Sequence, residues 1–265
     1  MKTSAFSQSL FAVSLLEAIR ITAEIGFDGR ELACKEPQLT AALARDQGAE
    51  LLGYIQERGL SVSALSLFSQ FTDPQTLDRE IEQALAFIEC APTFETQTVK
   101  ITPGPPASER AQDLHWECLR RAVDVLTERA GVLGVRLAVE THLNHLSDRV
   151  APAQRILNLD PAGVLGVNLD FCNLAFGGDD PVGAIESFRD RLYLPHLKNG
   201  YIRAGTYDFR TLEEGMGNYP DILAELQAVR FDGDLSIECL GTSAWEHPRD
   251  ALKYDFEILR AMLGG

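Results

Sequence analysis

The sequence predicts a single (β/α)8 barrel, and three observations carry that expectation. Short apolar runs of β type alternate with amphipathic helical stretches eight times. One βα unit then averages about 33 residues, close to a fold that takes roughly 250 residues in all. Four of the runs close on a group able to bind a divalent cation: Leu137-Ala138-Val139-Glu140, Leu165 to Asp170, Leu192-Tyr193-Leu194-Pro195-His196 and Leu235-Ser236-Ile237-Glu238. The competing architecture, an open doubly wound sheet, lacks its usual fingerprint. There is no G-x-G-x-x-G after the first strand and no G-x-x-x-x-G-K-[ST] anywhere.

Taken in order, the candidate strands are Ser4–Ser7, Gly29–Ala33, Ser61–Leu67, Thr96–Thr102, Arg136–Thr141, Gly163–Asp170, Leu192–Lys198 and Asp234–Leu240. Helical spacing fills residues 14–25, 37–59, 74–91, 108–133, 151–158, 181–189, 220–229 and 247–263. Asp73-Pro74, Asp180-Pro181 and Tyr219-Pro220 place proline in a first turn, where its missing N–H costs nothing. Gly26, Gly59, Gly134 and Gly233 follow helix ends, where a left-handed residue is wanted. No linker or repeat divides the chain, so residues 1–265 form one domain.

Composition bounds the function. A hydrophobic fraction of 45% supports a sizeable core. A net charge of −15 without any block of Lys and Arg excludes nucleic acid as a partner, because phosphate binding needs a basic footprint. The five cysteines form no C-x-x-C pair and are odd in number, which points to a reducing, cytoplasmic compartment. Lys2 precedes Leu10-Phe11-Ala12-Val13, but Ser14 and Glu17 break that run and a helix continues from it, unlike a secretory leader. No run approaches the ~20 apolar residues of a membrane span.

A carboxylate is costly to bury unless a charge answers it. One alone at a strand end is usually a helix cap, and a lone histidine is usually a satisfied core residue. Four ligand types on successive strands, five to eight, are a different matter. Glu140, Asp170, His196 and Glu238 are expected to converge on one metal at the barrel mouth, where such folds keep their sites. Three carboxylates and an imidazole favour a hard ion: Mn2+ first, with Mg2+, Co2+ and Zn2+ as alternatives.

Six segments in order resemble the xylose-isomerase-like TIM-barrel superfamily of sugar and sugar-phosphate isomerases and epimerases, to which D-tagatose 3-epimerase is related. Gly26-Phe27-Asp28-Gly29-Arg30-Glu31-Leu32 resembles "GFDGVEL", Val139-Glu140-Thr141-His142 "xENH", and Asn168 to Asn173 "LLDTGH". Pro195 to Asn199 is similar to "HVHLKD", Glu214 to Pro220 to "GEGxxDFP", and Phe231 to Glu238 to "GYDGPLSIE". The resemblance implies one divalent metal on the same four residues and carbohydrate chemistry. It departs from the family at Met216 and at Asn173, where many members carry a histidine; Asn can hydrogen-bond a substrate oxygen but cannot carry a proton.

The implied reaction is isomerisation or epimerisation of a sugar, sugar phosphate or polyol by proton transfer through an enediolate. Glu140 and Glu238 are the expected acid/base pair. His142, two residues from Glu140 and so on the same face, is a third catalytic candidate or a group bonded to a ligand. Asn173, Lys198, Arg203, Lys100 and Glu31 are the substrate-binding candidates, with an ion pair as the alternative role for Lys198. His115, His145 and His247 read as solvated. The competing function is a lyase or dehydratase on the same scaffold, since 3-dehydroshikimate dehydratases resemble this chain in their Glu-x-His and use that His as base. A multi-metal endonuclease would need more than 5 His and a basic face. The expected partner is a small carbohydrate or keto substrate; membranes are excluded, and homo-oligomerisation is left open.

Overall fold

The computed structural model describes residues 1–264. Eight parallel strands close a barrel: β1 (Lys2–Phe6), β2 (Gly29–Ala33), β3 (Ser61–Ser66), β4 (Thr98–Ile101), β5 (Arg136–Glu140), β6 (Leu165–Asp170), β7 (Leu192–Leu197) and, after an inserted hairpin of β8 (Asn199–Arg203) and β9 (Thr206–Arg210), β10 (Asp234–Ile237). β1 pairs with both β2 and β10, which seals the ring. The helices are α1 (Leu15–Ile25), α2 (Ala41–Gln56), α3 (Leu77–Cys90), α4 (Asp113–Leu133), α5 (Val150–Leu157), α6 (Phe171–Gly177), α7 (Pro181–Phe188), α8 (Tyr219–Ala228), α9 (Thr242–Glu246) and α10 (Pro248–Met262).

Strand side chains alternate between two sides, and the sequence divides them accordingly. Leu32, Val99, Leu137, Val139, Val167, Leu169, Leu197, Leu235 and Ile237 pack outward into the large core shared with the helices. The inner side carries small or polar residues. Ala64, Ala138 and Leu194 form a separate inner cluster, and two residues further along their strands come Ser66, Glu140 and His196. Small side chains, with the hydrogen-bonded Ser4, Ser63 and Asn168 among them, therefore lie beneath a charged mouth.

Several local expectations are corrected. The left-handed residue after α8 is Arg230 (φ 59°), and Gly233 is not in that region. Pro74 lies ahead of α3, in a turn where the Asp73 carbonyl accepts from Thr76 and Leu77 N–H. Gly163 (φ 83°) belongs to the turn before β6. Three elements had no expectation: the β8–β9 hairpin, α6 and α9. The hairpin closes through Ala204 (φ 49°) and Gly205 (φ 78°), two positive-φ residues that suit a two-residue turn of primed type. All five cysteines are buried and unbridged.

Candidate metal centre

The four expected ligands meet. Glu140 and Asp170 end β5 and β6, His196 lies one residue from the end of β7, and Glu238 follows β10 directly. Asp170 stands opposite His196, while Glu140 lies opposite Asn168 and Ser236 opposite His196. Glu140 and Glu238 are therefore each offset by two residues, a stagger that goes with the tilt of barrel strands. One donor atom from each lies within 4.8 Å of all the others. His196 Nδ1 is 3.7 Å from Glu140 Oε1, 3.7 Å from Glu238 Oε2 and 3.9 Å from Asp170 Oδ2. Ligands bound to one ion at ~2.0–2.3 Å span at most about 4.6 Å, so a small contraction closes the set. One of the donors, His196 Nδ1, is buried without a hydrogen-bond partner, and Asp170 Oδ2 is answered there by the Lys198 ammonium alone, 2.8 Å away. Buried polar atoms are rarely left so. The residues therefore fit a divalent ion.

Asp170 serves two purposes. Its Oδ1 accepts the Asn173 N–H at 2.8 Å and caps α6, which leaves Oδ2 for the site. A helix cap and a ligand were alternatives in the sequence; the carboxylate caps α6 with Oδ1 and turns Oδ2 toward the other three side chains. Asn173 is held as well, its amide donating to the Thr141 carbonyl at 3.0 Å. That bond ties Asn173 to the β5–α6 frame through its amide nitrogen, and its Oδ1 accepts none of the described hydrogen bonds.

Glu31 corrects an expectation. It is fully buried, and both of its oxygens stand 2.9 Å from His196 Nε2, with the hydroxyls of Ser66 and Ser236 donating to them. It fixes the imidazole from behind, so that Nδ1 faces the three other ligands. A carboxylate so committed has nothing to offer a substrate. Burial alone would disfavour its charge, but His196 and Lys100 hold its pKa below the usual range. The same contacts act on His196 in the opposite sense. Burial pushes its pKa down, the Glu31 and Glu140 charges outweigh that, and the result is raised to about 10.

The two inner lysines are paired. Lys100 Nζ donates to Glu140 Oε2 at 2.7 Å, and Lys198 Nζ donates to Glu238 Oε2 at 2.7 Å while lying 2.8 Å from Asp170 Oδ2. Both are nearly fully buried, where an ion pair is retained because either partner alone would be far worse. Burial works against the Glu140 charge, yet Lys100 and His196 keep its pKa well below the ordinary value. Asp170 goes the other way, raised by burial and by the neighbouring Glu238 and Glu140 despite Lys198. Lys198 is raised well above its usual value, since Asp170 and Glu238 outweigh desolvation. Lys198 thus takes the ion pair that was its alternative role, and Lys100 is paired in the same way.

Arg203 is not at the site. It lies at the end of β8 in the hairpin, largely exposed, with its guanidinium 3.1 Å from Asp208. His142 follows β5 at the mouth, half-buried, its Nδ1 2.8 Å from the Leu143 carbonyl. A carbonyl can only accept, so Nδ1 carries a proton, and in the neutral ring Nε2 holds the lone pair. His145, read from sequence as solvated, instead packs on His142 with ring centroids 4.1 Å apart, and burial pushes its pKa down to about 3. His115 accepts the Gln112 N–H and caps α4, and His247 is exposed at the start of α10.

A family model described as xylose isomerase-like TIM barrel matches residues 19–262. The chain belongs to that family. Among curated proteins it is similar to the 3-dehydroshikimate dehydratase of Bacillus anthracis, 23% identical over 93% of this chain and 91% of the relative. Solved structures of the same fold include the IOLI protein with a binding zinc atom, at a TM-score of 0.83, 18% identity and coverage of 99% and 98% of the two chains. They also include the 3-keto-D-glucoside 4-epimerase of E. coli, at 0.77, 18%, 97% and 99%. No helix among the described residues of this family member is long and apolar enough to cross a membrane.

Proposed function

We propose that this barrel is a metal-dependent dehydratase that removes the proton next to the carbonyl of a polyhydroxylated ketone and then expels a hydroxyl group as water. The observation that carries this is the state of the bases at the mouth. Glu140 and Glu238, the pair expected to exchange protons, each hold a lysine at 2.7 Å. A carboxylate that also ligates an ion is a weak base, and these two are tied further. His145 is pushed too low to take a proton near neutrality. In its neutral form His142 keeps a lone pair on Nε2, because Nδ1 faces the Leu143 carbonyl, and it stands two residues past Glu140 at the barrel mouth. Asn173 stands where a second proton carrier would be and is bound to a backbone carbonyl.

A divalent ion on Glu140, Asp170, His196 and Glu238 would supply Lewis acidity to the substrate carbonyl oxygen. The chain's own residues do the rest. His142 Nε2 takes the proton from the adjacent carbon, and a C=C bond forms as the C–O bond one carbon further breaks. The imidazolium returns that proton to the departing hydroxyl, water leaves, and the enzyme is unchanged. Lys100 holds the Glu140 carboxylate ionised, Lys198 bridges Asp170 and Glu238, and Glu31 keeps the imidazole of His196 aimed.

Epimerisation is the second reading. Glu140 and Glu238 approach the centre from β5 and β10, two separate strands, as a two-base transfer across one carbon requires. Proton NMR of 3-dehydroshikimate and of keto sugars in D2O with Mg2+-loaded protein separates the two. A new alkene or aromatic signal with loss of water supports the dehydratase. Deuterium entering the substrate without loss of water overturns it in favour of the epimerase.

A further inference from the structure

Lysine is scarce in this chain: of 24 basic residues, five are Lys. Three of the five, Lys35, Lys100 and Lys198, stand at the carboxyl ends of barrel strands or just beyond them. Lys100 and Lys198 are neutralised by the metal-centre carboxylates. Lys35, in the loop after β2, is exposed and forms no ion pair among the described residues; the one charge that bears on it is that of Lys100, another cation.

Its position is nonetheless fixed. Lys35 Nζ lies 3.9 Å from the centroid of Phe68 and 5.3 Å from that of Phe11. Lys100 Nζ lies 4.9 Å from the same Phe68 ring and 5.4 Å from Phe6. Phe6 stacks on Phe68 at 6.1 Å and packs against His196 at 5.2 Å. An aromatic column thus runs from the metal centre outward to Lys35. Ring faces attract a cation without neutralising it, so the column places the ammonium and leaves its charge available. In a chain of net charge −15, such a group is a local exception.

We propose that Lys35 binds a carboxylate of the substrate while the metal centre and His142 act on a ketone of the same molecule. The proposal rests on the dehydratase reading and narrows it to polyhydroxylated keto acids, as against uncharged sugars. A phosphate dianion is the poorer fit, because it calls for several donors, and of the three strand-end lysines Lys35 alone has no ion pair among the described residues.

The test is calorimetric binding to Mg2+-loaded protein of 3-dehydroshikimate and of its carboxamide, which has the same shape without the charge. Wild type should bind the carboxylate about 10- to 100-fold more tightly. Lys35→Met keeps an unbranched chain over Phe68 and should erase that preference, leaving carboxamide affinity within about twofold. Lys35→Arg should restore part of it. Equal binding of the two compounds by wild type, equal weakening of both by Lys35→Met, or no binding of either overturns the proposal. Turnover in the same samples separates the two claims. Water loss without carboxylate preference removes the role of Lys35 and leaves the dehydratase standing; carboxylate preference without water loss does the reverse.

Discussion

His142 and Glu31 divide the work at the residue scale. His142 touches the chemistry, so His142→Ala should lower kcat by about 10²- to 10⁴-fold with bound metal unchanged. Steady-state kinetics beside metal analysis checks this, and a loss of metal with activity would place His142 among the ligands. Glu31 acts through His196. Glu31→Gln leaves shape but weakens the acceptor behind the imidazole, and should reduce metal affinity about 10- to 100-fold in a direct titration. Unchanged affinity would show that the imidazole stays aimed without the charge of Glu31. The ligands were legible in the sequence because each ends an apolar run. Glu31 was legible only as a charged residue in a buried strand, since its partner lies 165 residues away.

At the scale of elements, the hairpin and its seam carry the instructive differences. The alternation in Tyr201-Ile202-Arg203 and Thr206-Tyr207-Asp208-Phe209 around Ala204-Gly205 was a hairpin signal in the sequence. It lay hidden among loop-like glycines. α6 was invisible for another reason: it starts at Phe171, directly after β6 ends, with no turn residues between, because Asp170 caps it. The buried Asn199 stitches the hairpin to the following loop, donating to the Leu212 and Gly217 carbonyls at 2.9 Å and accepting from Gly200 and Gly217 N–H at 3.0 Å. At about 1 kcal/mol per bond, Asn199→Ala should cost roughly 2–4 kcal/mol and lower Tm by about 5–10 °C. A shift under 2 °C would mean that the seam is held elsewhere.

The same seam contains a pH-dependent element. Asp255 on α10 is 1% exposed and accepts the Leu212 N–H at 3.0 Å. Burial raises its pKa to about 6 from an ordinary 3.8, with the Leu212 bond pulling the other way. A carboxyl raised on folding contributes stability that is fully present below its unfolded pKa and is lost as pH rises through the folded one. The window is therefore pH 3.8 to about 6. Asp255→Asn keeps the acceptor and removes the charge, so it should stabilise the protein above pH 7, by up to about 3 kcal/mol, and do little near pH 4. Denaturant melts at the two pH values check it. Equal effects at both would remove the titration from the account.

For the whole molecule, the barrel follows from the division of each strand into an apolar outer side and a small or polar inner side. That division was readable because period-2 alternation and eight repeats are local signals. The charge pairing inside the mouth was not, because closing the ring sets Lys100 against Glu140 and Lys198 against Asp170 and Glu238, each pair on different strands. The central claim is that this closure makes one divalent-ion site. The most direct test is metal titration of the chelator-stripped protein with Mn2+ or Zn2+, by calorimetry with elemental analysis of the dialysed complex. Wild type should hold one ion per chain, and Asp170→Asn and His196→Gln should each lose it while the fold persists by circular dichroism. A wild-type protein that binds no ion, or that binds one unaffected by either substitution, would contradict the account.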